Sequence, residues 1–558
     1  MLYPKMNACR DVYNLNGVWQ FKTVREEYQP KEMALDTMPM AVPSSMNELV
    51  ADKKVKNHVG KVLYECFFSV PLRKGMQYFL RIGATSHKCE VYLNGKKIGN
   101  GFNGFYPLDF PLEKLEENNR LSVVIDNRCT FQNFPVGQVV DGKQIINYDF
   151  YNFTGIHRDV LVYAVPEKHI EDIVIKTVVD GDYSKIQAIV SGNYETVRYI
   201  VLDKERKVVA ESNSGEIFIK NPKLWSCETP YLYTLAVKTE SDYYEERFGI
   251  RKVEVKGNQF LLNDKPVYFK GFGMHEDFFL MGKGNCTPVS IRNFECLKWV
   301  GANSFRTSHY PYSEEIMNLA DEYGYMVIDE LPTVGMNWWA QGDFTEDTVN
   351  DKSKEVHKEL IKQLYARDKN HPCVVMYSLS NEPGTDEENS VPYFEDVFAY
   401  ARTIIKDLPL TLVEMTLFED CKTPPLADVI CLNRYYGWYT DHGDSEVIYE
   451  QMKVELKKWY DKYQKPIFIT EFGADTIEGN HSFPAEAFSE EYQVEYLREN
   501  CRAFDEAEYV IGEHVWNFAD FKTKQGVNRV RGNRKGVFTK DRQPKLAAHY
   551  LRSRWENK

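Results

Sequence analysis

No run of apolar residues in this 558-residue chain approaches the roughly 18 that a membrane span needs. The opening stretch, Met1-Leu-Tyr-Pro-Lys-Met-Asn-Ala-Cys-Arg10, also lacks the apolar core of a signal peptide, so a soluble, cytoplasmic protein is expected. Basic residues are the minority, 69 against 82 acidic, and the net charge of −13 argues against a nucleic-acid binder, whose affinity comes from neutralising phosphates. The cysteines are odd in number, 11, and none forms a Cys-x-x-Cys pair, which speaks against a disulfide framework or a zinc site. Cys66, Cys89, Cys129, Cys296, Cys373 and Cys431 lie in apolar contexts, where a thiol acts as a small hydrophobe. Repeats and low-complexity linkers are missing too. What the chain has in quantity is apolar residues, 43%, and aromatic ones, 14%, enough for several cores and incompatible with disorder. At about 100 to 200 residues per domain, three or four domains are expected, or fewer large ones.

The first third reads as β structure. Val62-Leu-Tyr-Glu-Cys-Phe-Phe-Ser-Val70, Gln77-Tyr-Phe-Leu-Arg-Ile82 and Leu121-Ser-Val-Val-Ile125 are rich in β-branched and aromatic residues with turn residues between them. Glu90-Val-Tyr-Leu-Asn-Gly-Lys-Lys-Ile98 carries Asn94-Gly95, a hairpin signal because both turn positions need positive φ. A jelly-roll-like β-sandwich over residues 1–166 is expected. Ile173 to Lys176, Lys185 to Val190, Glu216 to Ile219 and Tyr231 to Val237 then suggest an immunoglobulin-like sandwich over 167–256. From 257 to 558 the rhythm becomes strand, then helix. Candidate strands are Val267 to Met274, Ser304 to Ser308, Met326 to Asp329 and Val374 to Leu379, followed by Leu410 to Met415, Val429 to Asn433, Ile467 to Thr470 and Val510 to Trp516. In Ser353 to Tyr365, Val356, Leu360 and Leu364 fall four apart, as on one helix face. With eight strands and no Gly-x-Gly-x-x-Gly at a strand end, a (β/α)8 TIM barrel fits better than a doubly wound sheet.

Catalytic residues of such a barrel sit at the C-terminal ends of its strands. Strand four, Val374-Val-Met-Tyr-Ser-Leu-Ser-Asn-Glu-Pro383, delivers Asn381 and Glu382 there, and strand seven, Pro466-Ile-Phe-Ile-Thr-Glu-Phe-Gly473, delivers Glu471. Each Glu follows a buried apolar run, so both carboxylates emerge at one rim. Two such carboxylates are the minimal equipment for cleaving a glycosidic bond through an oxocarbenium-like state. A metal-dependent hydrolase is disfavoured. His275-Glu276-Asp277 lacks the His-x-x-x-His spacing of a helix-borne site, and no other ligands gather in the sequence.

These residues resemble glycoside hydrolase family 2. Asn303-Ser-Phe-Arg-Thr-Ser-His-Tyr-Pro311 is similar to that family's first barrel signature, and Asp368 to Glu382 to its second. Within the family, Cys431-Leu-Asn-Arg-Tyr-Tyr-Gly-Trp-Tyr439, Gly512-Glu-His-Val-Trp-Asn-Phe-Ala-Asp520 and Gly532 to Lys545 are most similar to the bacterial β-glucuronidases, and the likeness runs from Leu15-Asn-Gly-Val-Trp19 to Trp555. The resemblance implies a retaining, exo-acting, cofactor-free hydrolase of β-D-glucuronides working by double displacement. Glu382 would be the general acid/base, its pKa raised by the nearby charge of Glu471, the nucleophile. Tyr435 would sit beside the nucleophile, and Asn381 would hold the sugar 2-hydroxyl. His275, His309, Tyr439 and Trp516 would line the sugar subsite, and Asp149 would reach it from the first sandwich. Asn533 and Lys535, assisted by Arg529, would grip the sugar carboxylate, which requires a fixed cation and donors. Relatives of this kind are often tetramers, so a homo-oligomer is expected.

The sequence departs from the family at Tyr377, where Trp is usual, and at Met274, where a basic residue is usual. After strand three, Thr333-Val-Gly-Met-Asn-Trp-Trp-Ala-Gln-Gly342 is expected to lead quickly into the next helix, leaving an open aglycone side with Trp338 or Trp339 as a stacking platform. The same fold would also suit a β-galacturonidase or a β-galactosidase.

Overall fold

The computed structural model describes residues 2–102 and 104–558. Its first part stacks two antiparallel sheets. One is six-stranded, in the order Met38–Val42, Gly17–Thr23, Lys61–Phe68, Asn119–Asp126, Lys88–Leu93, Lys96–Gly101. The other is four-stranded, in the order Asp11–Asn14, Val160–Pro166, Met76–Ile82, Leu108–Pro111. Alternating residues such as Trp19, Phe21, Tyr64, Leu80, Val91 and Val162 fill the space between them. The Asn94-Gly95 turn joins two of these strands with φ of 50° and 80°, the backbone that this dipeptide favours. Two strands that the sequence pattern left unread, Gly17–Thr23 and Met38–Val42, pair along that sheet's edge.

A three-stranded and a four-stranded antiparallel sheet follow between Ile170 and Phe248, packed around Ile173, Ile186, Val201, Leu235 and Tyr244. This is the immunoglobulin-like arrangement.

Eight parallel strands then close a barrel: Phe269–Gly273, Ser304–Arg306, Met326–Glu330, Val374–Asn381, Leu410–Glu414, Ile430–Asn433, Ile467–Phe472 and Val510–Val515. Strands four and seven are buried along their whole length, as expected where side chains fill the barrel and helices cover it. The helix Asp351–Asp368 buries Leu360 and Leu364 and begins at a capping box in which the Asn350 side chain accepts from Ser353 N–H.

The first sandwich is not a separate module. Its excursion between Asn127 and Asp159 sends Phe131, Phe134, Val136, Tyr148 and Phe150 into the same hydrophobic cluster as the barrel strands. Val136 N–H donates to Val334 O at 3.0 Å, and Asn147 Nδ2 to Asn337 O at 2.9 Å. Asp149 is carried to the barrel mouth in this way. Among the described residues no helix is long and apolar enough to cross a membrane.

Candidate active site

Glu382 is the residue that follows barrel strand four, and its backbone is left-handed, with φ at 49°. That costs a non-glycine residue on the order of 1 kcal/mol and is held here by two hydrogen bonds. Glu382 N–H donates to Val413 O at 2.8 Å, and Asn337 Nδ2 donates to the Glu382 carbonyl at 2.6 Å. Glu471 comes from strand seven, where it pairs in register with Asn433 of strand six. Both glutamates line one cavity of about 600 Å³ at the barrel mouth.

Their environments differ. Burial, and secondarily the charge of Glu471, push the Glu382 carboxyl up to about 8, against the pull of Asn433 Nδ2, which donates to Oε1 at 2.7 Å. The sequence expectation named the Glu471 charge as the cause of this rise, but burial is the larger contribution. Glu471 accepts from the Arg306 guanidinium on Oε1 and from the Tyr435 hydroxyl on Oε2 at 2.7 Å. These are the contacts of a carboxylate anion. Arg306 also bonds both oxygens of Glu330, at 2.7 and 2.8 Å, so the buried guanidinium is balanced by two carboxylates.

His309 sets Nδ1 2.8 Å from Glu330 Oε1 and 3.1 Å from Arg306 Nη1, and its Nε2 lies 3.7 Å from Glu471 Oε1. Its ring stacks on Trp516 at 5.1 Å. Asn381 Oδ1 lies 3.3 Å from Asn433 Nδ2 and 3.5 Å from Arg306 Nη1. With its oxygen committed there, the Asn381 amide is left to donate into the cavity.

Asp149, Tyr439 and Arg529 form another part of the wall. Arg529 bonds Asp149 from Nε at 3.0 Å, and its Nη2 donates to the Tyr439 hydroxyl at 2.6 Å. Behind them, Asn533 Nδ2 donates to Asp149 Oδ2 at 2.8 Å and Lys535 Nζ to Tyr439 Oη at 3.0 Å. Lys535 is 0% exposed and pairs with Asp475.

Of the twelve residues expected at the site, Asp149, His309, Asn381, Glu382, Tyr435, Tyr439, Glu471, Trp516 and Arg529 line the cavity. Asn533 and Lys535 stand one layer behind it. His275 also lies outside the wall, its Nδ1 3.0 Å from Tyr310 Oη and its ring 5.3 Å from Trp516, so it supports that indole. Burial pushes the His275 imidazole well below its ordinary pKa, which keeps it neutral.

Arg306, Glu330, Asn433 and Asp475 were not singled out from sequence. The signal was available for three of them, since Arg306, Glu330 and Asn433 each end a barrel strand. Asp475 follows Glu471 in a loop, and only its partners Lys535, Arg534 and Arg529 mark it.

Two further expectations are corrected. The segment after strand three does not lead quickly into a helix: residues 331–350 separate Glu330 from the helix starting at Asp351. Trp339 is no platform either. It is buried, with its indole N–H on Gly335 O at 2.8 Å and its ring edge on Phe131 at 4.8 Å, whereas Trp338 is exposed on the cavity wall.

Among the described residues, Asp321, His371 and Cys373 bring ligand atoms within 4.8 Å of one another, a grouping that the sequence reading missed. It lies at the N-terminal end of strand four, away from the glutamates, and Asp321 is already bonded to His371 Nδ1 at 2.6 Å and to Cys373 N–H at 3.0 Å. The two departures from the family are both buried, and Met274 N–H donates to Arg306 O at 3.3 Å. Tyr377 packs against Tyr365 of the helix Asp351–Asp368 at 6.3 Å, and Met274 is buried beside strand one.

Comparison with known proteins agrees with this architecture. Models of glycosyl hydrolases family 2 match residues 12–166 as the sugar binding domain, 168–251 under the family's name alone and 253–558 as the TIM barrel domain. A β-glucuronidase of Paenibacillus borealis is 41% identical over 586 residues, covering 100% of this chain and 98% of the relative. The human β-glucuronidase is 37% identical over 607 residues, covering 100% of this chain and 92% of its own length. Among solved structures, a β-glucuronidase of an uncultured Clostridium species has a TM-score of 0.98 at 44% identity, with 100% of both chains covered. The Ruminococcus gnavus β-glucuronidase in complex with D-glucaro 1,5-lactone has a TM-score of 0.94 at 39% identity, with 99% of each chain covered. Matched in order by all three family domains over nearly its whole length, the chain belongs to glycoside hydrolase family 2 and is a glycosidase.

Proposed function

We propose that this protein is a retaining exo-β-glucuronidase. Glu382 protonates the glycosidic oxygen while Glu471 attacks the anomeric carbon, giving a covalent glucuronyl-enzyme. Glu382, now ionised, then takes a proton from the water that releases glucuronate. The observation that carries this reading is the opposed setting of the two carboxylates in one cavity. One is pushed up to about 8 and is therefore protonated at neutral pH, while the other accepts from a guanidinium and a phenol. Asn381, with its amide NH₂ directed into the cavity, donates to the 2-hydroxyl oxygen. Arg529, Tyr439, Asn533 and Lys535 form the end that takes the sugar carboxylate.

The sugar assignment is supported by the relatives, which are β-glucuronidases along their full length, and by the lactone bound to one of them. Measuring kcat/KM for the p-nitrophenyl β-glucuronide, β-galacturonide and β-glucoside side by side tests it. The glucuronide should lead by at least about two decades over the glucoside, in line with the loss of one buried charge pair. A galacturonide that matches or exceeds the glucuronide would replace the sugar assignment.

A further inference from the structure

The wall beside Glu382 is built differently from the rest of the cavity. Asn337 donates through Nδ2 to the Glu382 carbonyl at 2.6 Å and lies 3.9 Å from Met415 Sδ. Trp338 is the next residue, and Leu417 lies two beyond Met415. Since Glu382 faces the leaving oxygen, these side chains are where the aglycone must lie.

Trp338 is 65% exposed, and its left-handed backbone, with φ at 59°, turns it out of the loop. The following residue is fixed beneath it: Trp339 N–H donates to Asp343 Oδ1 at 2.9 Å, and its indole to Gly335 O at 2.8 Å. Leu417 is exposed as well, at 49%.

An exposed indole and an aliphatic neighbour offer a face for a flat π system.

We propose that Trp338 is the platform on which a flat aromatic aglycone stacks, so that it sets the preference of this site for aromatic over aliphatic leaving groups. This rests on the glucuronide reading above and adds to it the chemistry of the leaving group. Trp338 neither donates nor accepts a proton in the reaction. It holds the aglycone beside the acid, one residue from the amide that fixes that acid's backbone.

The test compares wild type, Trp338→Ala and Trp338→Phe on 2-naphthyl and methyl β-glucuronide, with each substrate compared only with itself so that leaving-group acidity cancels. Trp338→Ala should lower kcat/KM for the naphthyl substrate by about ten- to a hundredfold, mainly through KM, and by a much smaller factor for the methyl one. Trp338→Phe should restore most of the loss. Equal losses on the two substrates, or no rescue by Phe, would make Trp338 a support for the loop and overturn the proposal.

If wild type cleaves aryl galacturonides and not aryl glucuronides, the sugar reading fails separately, and the same comparison is made on naphthyl and methyl galacturonide.

Discussion

Replacing Lys535 by alanine probes how the sugar acid is read. Lys535 Nζ is fully buried, pairs with Asp475 and donates to the Tyr439 hydroxyl at 3.0 Å, with Tyr439 on the cavity wall. A buried carboxylate deprived of its cation loses about 2 to 5 kcal/mol, mostly because a charge is left unpaired. At about 1.36 kcal/mol per decade, Lys535→Ala should lower kcat/KM for the p-nitrophenyl glucuronide by roughly 30- to 5000-fold. The glucoside brings no carboxylate, so its low rate should change far less and the selectivity ratio should collapse through the glucuronide. The variant also leaves Asp475 with only Arg529 Nη1 at 3.4 Å and Arg534 N–H at 2.8 Å. Breaking a buried pair costs about 3 to 5 kcal/mol of stability, so Tm should fall. Adding Asp475→Asn removes the stranded charge and should recover much of the Tm without recovering glucuronide activity, which separates recognition from folding. Equal losses on glucuronide and glucoside would refute the role given to Lys535, as would unchanged rates on both.

Three further outcomes concern Glu382. Because its carboxyl is raised to about 8 and must be protonated to assist the leaving group, kcat/KM should hold through neutral pH and fall about tenfold per pH unit above 8; activity that already falls as pH rises above about 5 would contradict the buried-acid reading. Glu382→Gln should abolish that limb and slow phenyl glucuronide far more than p-nitrophenyl glucuronide, and equal slowing would leave Glu382 only structural. The same shift bears on stability. A carboxyl whose folded pKa lies above its ordinary 4.5 costs stability as pH rises from about 4.5 to 8, so the Tm of Glu382→Gln relative to wild type should increase over that window in thermal-shift measurements.

Strands four and seven were legible because a parallel barrel strand is a nearly unbroken apolar run, and a Glu at its end stands out against that background. The Asn94-Gly95 turn was legible for an equally local reason, since few dipeptides tolerate two positive φ values. Gly17–Thr23 and Met38–Val42 were harder, because both expose residues between their buried ones and Pro39 interrupts the second, which is the edge strand. Arg306 and Glu330 were hidden by their own pairing. Each is a charge at 0% exposure, which makes sense only once strands two and three are adjacent and Glu471 is opposite. The position of Lys535 behind Tyr439 is likewise invisible in a basic pentapeptide, as is the divergence of neighbouring Trp338 and Trp339 into an exposed face and a buried one.

The assignment of Glu471 as nucleophile is tested most directly by trapping the covalent intermediate with an activated 2-fluoro-β-glucuronide and mapping the label by peptide mass spectrometry. Other buried glutamates end barrel strands, but Glu330 is held by Arg306 and Ser378, and Glu414 by Thr385 and Thr423. Glu471 alone among the three lies in the cavity with Glu382. One label per chain on the peptide carrying Glu471, absent in Glu471→Ala, is the expected result. A label on Glu330, Glu414 or Glu478, or steady turnover of the reagent by Glu471→Ala, would contradict the assignment.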